Sequence, residues 1–154
     1  MLRRLALACL LVLAVLPVRA QTQKYAEGQV WEYRTRPGEE GSLLRIGKIE
    51  TVGAAGEVFH ISIVGLRIAV PQQPDVRLTE LPHVPVSRRT LDQSVTKLSK
   101  TVLKGPDFSK SYADWRKNAD AGRVGVFTIS VANIVGSVEE TLKNNAPPAP
   151  RRSR

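Results

Sequence analysis

The sequence predicts an α+β fold, a mostly antiparallel sheet of roughly four to five strands with about three helices packed on one face. Residues 29–64 alternate apolar and polar side chains, as half-buried strands do. Residues 87–143 instead place most of their apolar side chains at helical spacing. Hairpin-linked strands therefore come first and helices follow, an order that favours a single α+β domain over residues 21–143.

The strands are expected over residues 29–36, 42–52 and 57–64, with an extension over 66–70. Phe59, Ile61 and Ile63 alternate with polar residues, which makes the third strand the clearest of them. In the second strand the apolar face changes near Gly47, where a β-bulge would shift the register by one residue. The segment Gly53-Ala54-Ala55-Gly56 predicts a short hairpin connection between these two strands.

A proline-rich segment, residues 71–85, separates the strands from the helices. Its four prolines disfavour a regular element, so we expect a long connection in extended conformation. Connections of this length in a compact domain often serve a function.

The second half of the chain predicts three helices and one further strand. Apolar residues recur along one stripe over residues 91–102, a first helix that Ser87 or Thr90 would cap. A strand is expected over residues 123–129, and Ser130 would cap the last helix. Between them, a second helix begins near residue 107 with three aromatic side chains on one face, a spacing that favours core packing over a ligand platform: Phe108, Tyr112 and Trp115.

Charged residues flank a Pro-Gly pair in the segment Arg36-Pro37-Gly38-Glu39. Proline at the second position and glycine at the third are typical of a type II β-turn. We interpret the charges as those of a solvated hairpin tip, where an ion pair contributes about 0–1 kcal/mol. The alternative is a recognition surface beside Trp31 and Tyr33. The candidate binding residues, which include one from the proline-rich segment, are Arg34, Arg36, Glu39, Glu40 and His83.

The N-terminus has the pattern of a secretory signal peptide over residues 1–20. Arg3 and Arg4 precede an apolar run of twelve residues, and small residues precede the expected cleavage before Gln21. A membrane anchor is the alternative, but a spanning helix needs roughly 20 apolar residues. We therefore predict an exported protein, periplasmic or extracellular, with no membrane span after cleavage. Cleavage would also remove Cys9, so the mature chain would have neither a disulfide nor cysteine chemistry.

The distribution of charge argues against one class of partner. Without Arg3, Arg4 and Arg19, the basic count falls from 23 to 20 against 14 acidic residues, which leaves a net charge of +6. These basic residues are interleaved with acids, whereas a nucleic-acid partner would require a basic cluster on one element.

Residues 144–154 predict a disordered basic tail rich in Pro and Arg, either solvated or touching an anionic surface.

No known catalytic or metal-binding pattern stands out in the sequence. The mature chain has two histidines, and His60 is placed on the opposite strand face from Phe59 and Ile61. The pattern does not bring His60 and His83 together with a carboxylate, and a zinc site needs three or four ligands. A phosphate loop and a nucleophile elbow are also missing from the sequence. We therefore predict no catalytic residue, no metal and no cofactor.

Two segments, GQVWEYRTRPGEEGS at residues 28–42 and GVFTISVA at residues 125–132, resemble an uncharacterised family of small bacterial proteins. They cover under a fifth of the chain. The resemblance implies that the domain is a recurring unit, and it implies no activity, cofactor or site residue.

The sequence thus predicts a small exported, non-catalytic binding or interaction module whose partner is an unknown protein or small ligand. We expect its contact surface at the 34–40 turn together with the 71–85 segment. Two alternatives stay open. One is an enzyme with an unfamiliar site near His60 and His83, using a carboxylate such as Asp75 or Glu80. The other is an inhibitor or immunity-type protein that neutralises a secreted enzyme.

Overall fold

The computed structural model describes residues 24–145 except 72, 74 and 124. The expected signal peptide and most of the expected tail lie outside the described residues. Within them, the strands are β1 (Val30–Tyr33), β2 (Leu43–Val52), β3 (Gly56–Ala69), β4 (Arg77–Ser87) and β5 (Val95–Leu98). The helices of this part of the chain are α1 (Arg88–Ser94), α2 (Ser109–Asp120) and α3 (Val131–Asn144), and none of them is long and apolar enough to cross a bilayer.

The strands form one antiparallel sheet in the order β4-β3-β2-β1-β5, which confirms the predicted α+β class. β2 and β3 are joined by the tight turn Gly53–Ala55 and pair along most of their length. Their register shifts between Ile46 and Lys48, so the bulge predicted at Gly47 is confirmed. This bulge decides which side chains of β2 face each side of the sheet.

Both faces of the sheet are covered. β3 is buried continuously from Val58 to Ile63, so neither set of alternating side chains faces water. One set, which includes Phe59 and Ile61, packs with α1 and α3. On the other face Val58 packs with Trp115 of α2. The expectation that all helices share one face therefore holds for α1 and α3 but not for α2.

β4 replaces the long connection that was expected over residues 71–85, so that expectation is wrong from Arg77 onward. Pro82 and Pro85 lie inside this strand. β4 is at the edge of the sheet, where a strand pairs on one side only and a missing N–H donor is tolerated.

The helix predicted over residues 91–102 is wrong beyond residue 94. α1 begins after Ser87, whose hydroxyl accepts a hydrogen bond from the Thr90 N–H at 3.4 Å, and it ends at Ser94. The chain continues as β5, which pairs with β1, and Val102 of the expected apolar stripe is 94% exposed. Pairing satisfies the backbone groups of β1 on its second side, which outweighs the helical spacing of a few apolar side chains.

The strand predicted over residues 123–129 is reduced to a single bridge. Phe127 donates its N–H to the carbonyl of Pro85, and its carbonyl accepts from the N–H of Ser87, both at 2.9 Å. Three residues later Ser130 caps α3, as predicted, by accepting from the Asn133 N–H at 3.3 Å. The chain turns into α3 too soon for a longer ladder beside β4.

Candidate functional site

The sheet face beneath α2 carries polar side chains that lie far apart in the sequence. Glu50 is on β2, His60 on β3 and His83 on β4. Cross-strand pairing puts Lys48 opposite His60 and His60 opposite Pro85. Because alternate residues of a strand share a face, Lys48, Glu50, His60, His83 and Pro85 all lie on the α2 side of the sheet.

Three of these side chains form a continuous line of hydrogen bonds, named here the Glu50–His60–His83 chain. Nε2 of His60 is 2.9 Å from Oε1 of Glu50, and Nδ1 of His60 is 2.9 Å from Nε2 of His83. The two imidazole planes are 13° apart, with ring centroids 5.1 Å apart, which fits a hydrogen bond between ring edges. His60 is fully buried. The expectation that the histidines do not meet a carboxylate is therefore wrong.

Glu50 is the member of this chain that the sequence analysis missed, and its signal is the hairpin. The Gly53–Ala55 turn fixes a register in which Glu50 is opposite Val58 and two residues from Lys48, the partner of His60. Extending the predicted hairpin pairing by a few residues would have placed Glu50 diagonally beside His60. His83 gave no such signal, because its segment did not read as a strand.

Two aromatic rings of α2 enclose His60. The ring centroids of Tyr112 and Trp115 are 5.0 and 4.8 Å from the His60 centroid, and both rings stand edge-on to the imidazole. The stripe of aromatic residues on α2 was predicted to face the core. It does face the sheet, but its contacts there include two histidines as well as apolar side chains.

A third aromatic ring lies against His83. The Phe108 ring is parallel to the imidazole within 10°, at a centroid distance of 5.3 Å. Gly47, at the bulge of β2, leaves the space for this ring, since a Cβ atom there would lie 2.4 Å from Phe108 Cε1. The bulge glycine therefore has a packing role at the site as well as a backbone role.

Donors surround the carboxylate of Glu50. Its Oε2 accepts from the Tyr112 hydroxyl at 3.2 Å and from Arg116 Nη1 at 3.0 Å, and Lys48 Nζ is 3.8 Å away. Burial raises the pKa of Glu50, but the hydrogen bonds from Tyr112 and His60 and the charge of Lys48 outweigh it, so the pKa lies below its ordinary value. Glu50 is therefore ionised at neutral pH and acts only as an acceptor.

Both histidines are neutral at neutral pH. Burial lowers the pKa of His60 although Glu50 opposes the shift. Burial and the nearby His60 lower the pKa of His83 to about 4. Each ring consequently carries one N–H and one lone pair.

His83 also lines an open hollow of about 520 Å³, named here the His83 groove. The remaining lining residues are Pro85, Trp115, Gly125, Val126 and Phe127. The Trp115 Nε1–H donates to the carbonyl of Gly125 at 3.1 Å, and the backbone of Phe127 is bonded to β4, so both walls are held in place. Among these residues His83 is the one titratable side chain, which gives the groove a mainly apolar lining with one titratable position.

The predicted turn cluster lies elsewhere and is internally satisfied. The type II turn is confirmed by the hydrogen bond from Glu39 N to Arg36 O at 3.1 Å and by φ of +84° at Gly38. Arg36 holds Glu39 through two contacts, Nε–Oε2 at 3.0 Å and Nη2–Oε1 at 2.8 Å, and also donates to Glu139 of α3. Glu39 is only 3% exposed and accepts from the Arg67 N–H at 2.9 Å. The expectation of a solvated ion pair here is wrong.

The two remaining predicted binding residues are exposed at the edge of this turn. Arg34 Nη1 donates to the backbone carbonyl of Gln93 at 2.9 Å, and Glu40 Oε1 accepts from the backbone N–H of Gly38 at 2.8 Å. The structure thus divides the predicted residues between the turn and the His83 groove. A binding role for the turn residues stays a prediction.

Residues 24–145, as described, contain no group of three or more His, Cys, Asp or Glu side chains that could hold a metal ion. Comparisons with protein-family models, with curated proteins and with solved structures gave no match. The resemblance of two segments to an uncharacterised family therefore stays a prediction.

Proposed function

We propose that the protein is a small exported binding module that holds a small, largely apolar ligand in the His83 groove. The observation that carries the proposal is an apolar groove bordered by one histidine whose second nitrogen, Nδ1, has no hydrogen-bond partner among the described residues. Ligand sites are typically concave and mainly apolar, with a few placed polar groups. Export rests on the N-terminal sequence pattern.

The volume and the walls of the groove support this proposal. A hollow of about 520 Å³ lies within the range of roughly 300–1,000 Å³ that small-molecule sites occupy. His83 is held by His60 and lies against Phe108, and Trp115 is held by Gly125. Little conformational entropy is then lost when a ligand binds, which favours affinity.

A titration with small aromatic compounds tests the proposal. Toluene, indole and naphthalene are added to the full mature chain, and binding is followed through the NMR signals of the Trp115 indole N–H and the Gly125 and Val126 amides. We expect saturable shifts at these positions. Val126→Trp should fill the groove and abolish them.

The matched control is Val138→Trp, which fills a second apolar hollow of about 270 Å³ along α3. This variant should retain ligand binding. If no compound shifts the groove signals, or if both variants bind as the wild type does, the proposal is wrong.

A second candidate is an enzyme in which His83 acts as a general base. The Glu50–His60–His83 chain favours this candidate, because in many acid–base sites a carboxylate orients an imidazole. The described residues that line the groove include no Ser, Thr, Cys or Lys side chain, so water would be the nucleophile. A pKa of about 4 makes His83 a weak base at neutral pH, since general bases work best near the operating pH. Binding is therefore the better-supported function.

The enzyme candidate has a direct test. His83 would take a proton from water as the water oxygen attacks the carbonyl of 4-nitrophenyl acetate, and the proton would then pass to the medium as nitrophenolate leaves. General-base catalysis contributes at least about 100-fold. Equal hydrolysis rates for the wild type and His83→Phe would eliminate this candidate.

A further inference from the structure

We infer that the His83 groove selects neutral ligands that donate a hydrogen bond, such as phenols and N–H heterocycles, over ligands of the same shape that can only accept one. The inference rests on the proposed function and adds the chemical class of the ligand. It follows from the direction in which protons are arranged along the Glu50–His60–His83 chain.

The direction is set at the Glu50 end. An ionised carboxylate accepts hydrogen bonds and donates none, so the 2.9 Å contact between Glu50 and His60 requires a proton on His60 Nε2. A neutral His60 then has a lone pair on Nδ1, and the 2.9 Å contact with His83 requires a proton on His83 Nε2. The neutral His83 is left with a lone pair on Nδ1, the ring nitrogen not engaged by His60.

The opposite direction needs a charge change in the buried part of the chain. It requires either a protonated Glu50 or a doubly protonated His60. Tyr112 and Arg116 donate to the Glu50 carboxylate and stabilise its ionised form. His60 is fully buried, and Lys48 and Arg116 lie on the same side, so an imidazolium there loses hydration and meets like charge.

The resulting acceptor at His83 also determines which ligands are disfavoured. A carboxylate ligand would place its lone pairs against the lone pair of Nδ1 and lose its hydration in a groove walled by Trp115, Val126 and Phe127. The methyl ether of a phenol also fills the groove but leaves Nδ1 without a partner. A phenol fills it and donates its O–H to Nδ1.

Three para-substituted toluenes separate these cases: 4-methylphenol, 4-methylanisole and 4-methylbenzoate. Dissociation constants are measured by NMR titration of the groove signals on the full mature chain. One net hydrogen bond corresponds to about 3–10-fold in affinity, so 4-methylphenol should bind that much more tightly than 4-methylanisole, and 4-methylbenzoate most weakly. In His83→Phe, whose folding is checked by thermal unfolding, the phenol should bind no more tightly than the anisole.

A second measurement needs neither a ligand nor a variant. Long-range ¹H–¹⁵N correlation spectra of the histidine rings at neutral pH report which nitrogen carries the proton, and we expect Nε2–H in both His60 and His83. An Nδ1–H ring at His83, or a ratio of 4-methylphenol to 4-methylanisole affinity that is the same in the wild type and in His83→Phe, overturns the inference while leaving the groove as a binding site. If no compound binds, the proposed function fails, and the inference fails with it.

Discussion

Two polar clusters among the described residues, each built around one buried side chain, differ in how they end. In the cluster of Arg36, Glu39 and Glu139, the guanidinium has an acid on each side, and Glu39 also accepts from a backbone N–H. In the Glu50–His60–His83 chain, the ionised end is enclosed by donors, while the other end is a histidine beside an open groove. Arg36 bonds mainly to Glu39 and Glu139, although these residues also line a hollow of about 400 Å³. His83 Nδ1, in contrast, has no hydrogen-bond partner among the described residues.

The two clusters also differ in what their charged groups do. Arg36 joins the turn to Glu139 of α3, so this cluster ties the helix to the sheet. The Glu50–His60–His83 chain also links strands of the sheet. The charges around Glu50 determine which nitrogen of each histidine ring carries the proton. Of the charged residues that stand out in the turn, Glu39 is thus held by Arg36, whereas Arg34 and Glu40 are exposed.

The largest effect should come from breaking the first cluster. Glu39→Gln removes the charge that holds Arg36 and leaves the guanidinium with Glu139 alone, so we expect the free energy of unfolding to fall by about 2–3 kcal/mol. Urea denaturation measures it. Glu40→Gln, at the exposed neighbouring position, is the control and should cause no measurable loss. If the two variants are equally stable, the ion pair between Arg36 and Glu39 does not stabilise the fold.

The two clusters should also respond to acid in different pH ranges. The unfolded chain binds a proton at His83 near pH 6.5, whereas the folded protein does so only near pH 4, so protonation favours unfolding and stability falls as the pH drops between these values. Because the ring is partly buried, we expect about 0.7 kcal/mol per pH unit, half the limit for one fully discriminated proton. His60 adds to this loss, since its pKa is also lowered.

The cluster of Arg36, Glu39 and Glu139 should lose its stabilising effect at lower pH. Burial raises the pKa of Glu39, but the hydrogen bonds from Arg36 and the Arg67 backbone outweigh it and keep the pKa below 4.5. Its stabilisation is present above pH 4.5 and is lost as the pH falls through the lowered pKa. Urea denaturation of the wild type and His83→Phe between pH 6.5 and 4.5 isolates the histidine contribution, because the variant should show the shallower slope. Parallel slopes would contradict the assignment.

The smallest effect should come from Gly47→Ala. The added methyl group would lie 2.4 Å from Phe108 Cε1, so the ring must move away from His83, at roughly 1 kcal/mol of stability. The His83 ring resonances should shift with it. Gly41→Ala is the matched control, since a Cβ atom there would have no heavy atom within 4 Å other than those of its chain neighbours. The stability and the histidine signals of this variant should not change. Unchanged His83 resonances in Gly47→Ala would show that Phe108 does not position the imidazole.

Several features were predictable because a few neighbouring residues determine them. Ser130 caps α3, Gly38 forms the type II turn, and Gly47 marks the bulge, each at the expected place. The errors arose where distant partners decided the outcome. Residues 95–98 join β1 despite their helical spacing, and the proline-containing β4 forms because β3 offers it an edge.

The sequence alone determined the α+β class, the turns, the caps and the strand faces, since periodicity and backbone preference act over a few residues. Only the tertiary structure decided that Glu50, His60 and His83 meet beneath α2, because cross-strand register joins residues that are 10 and 23 positions apart. The ionised Glu50 then determines which ring nitrogen of His60 and of His83 carries the proton. No local sequence pattern encodes that arrangement.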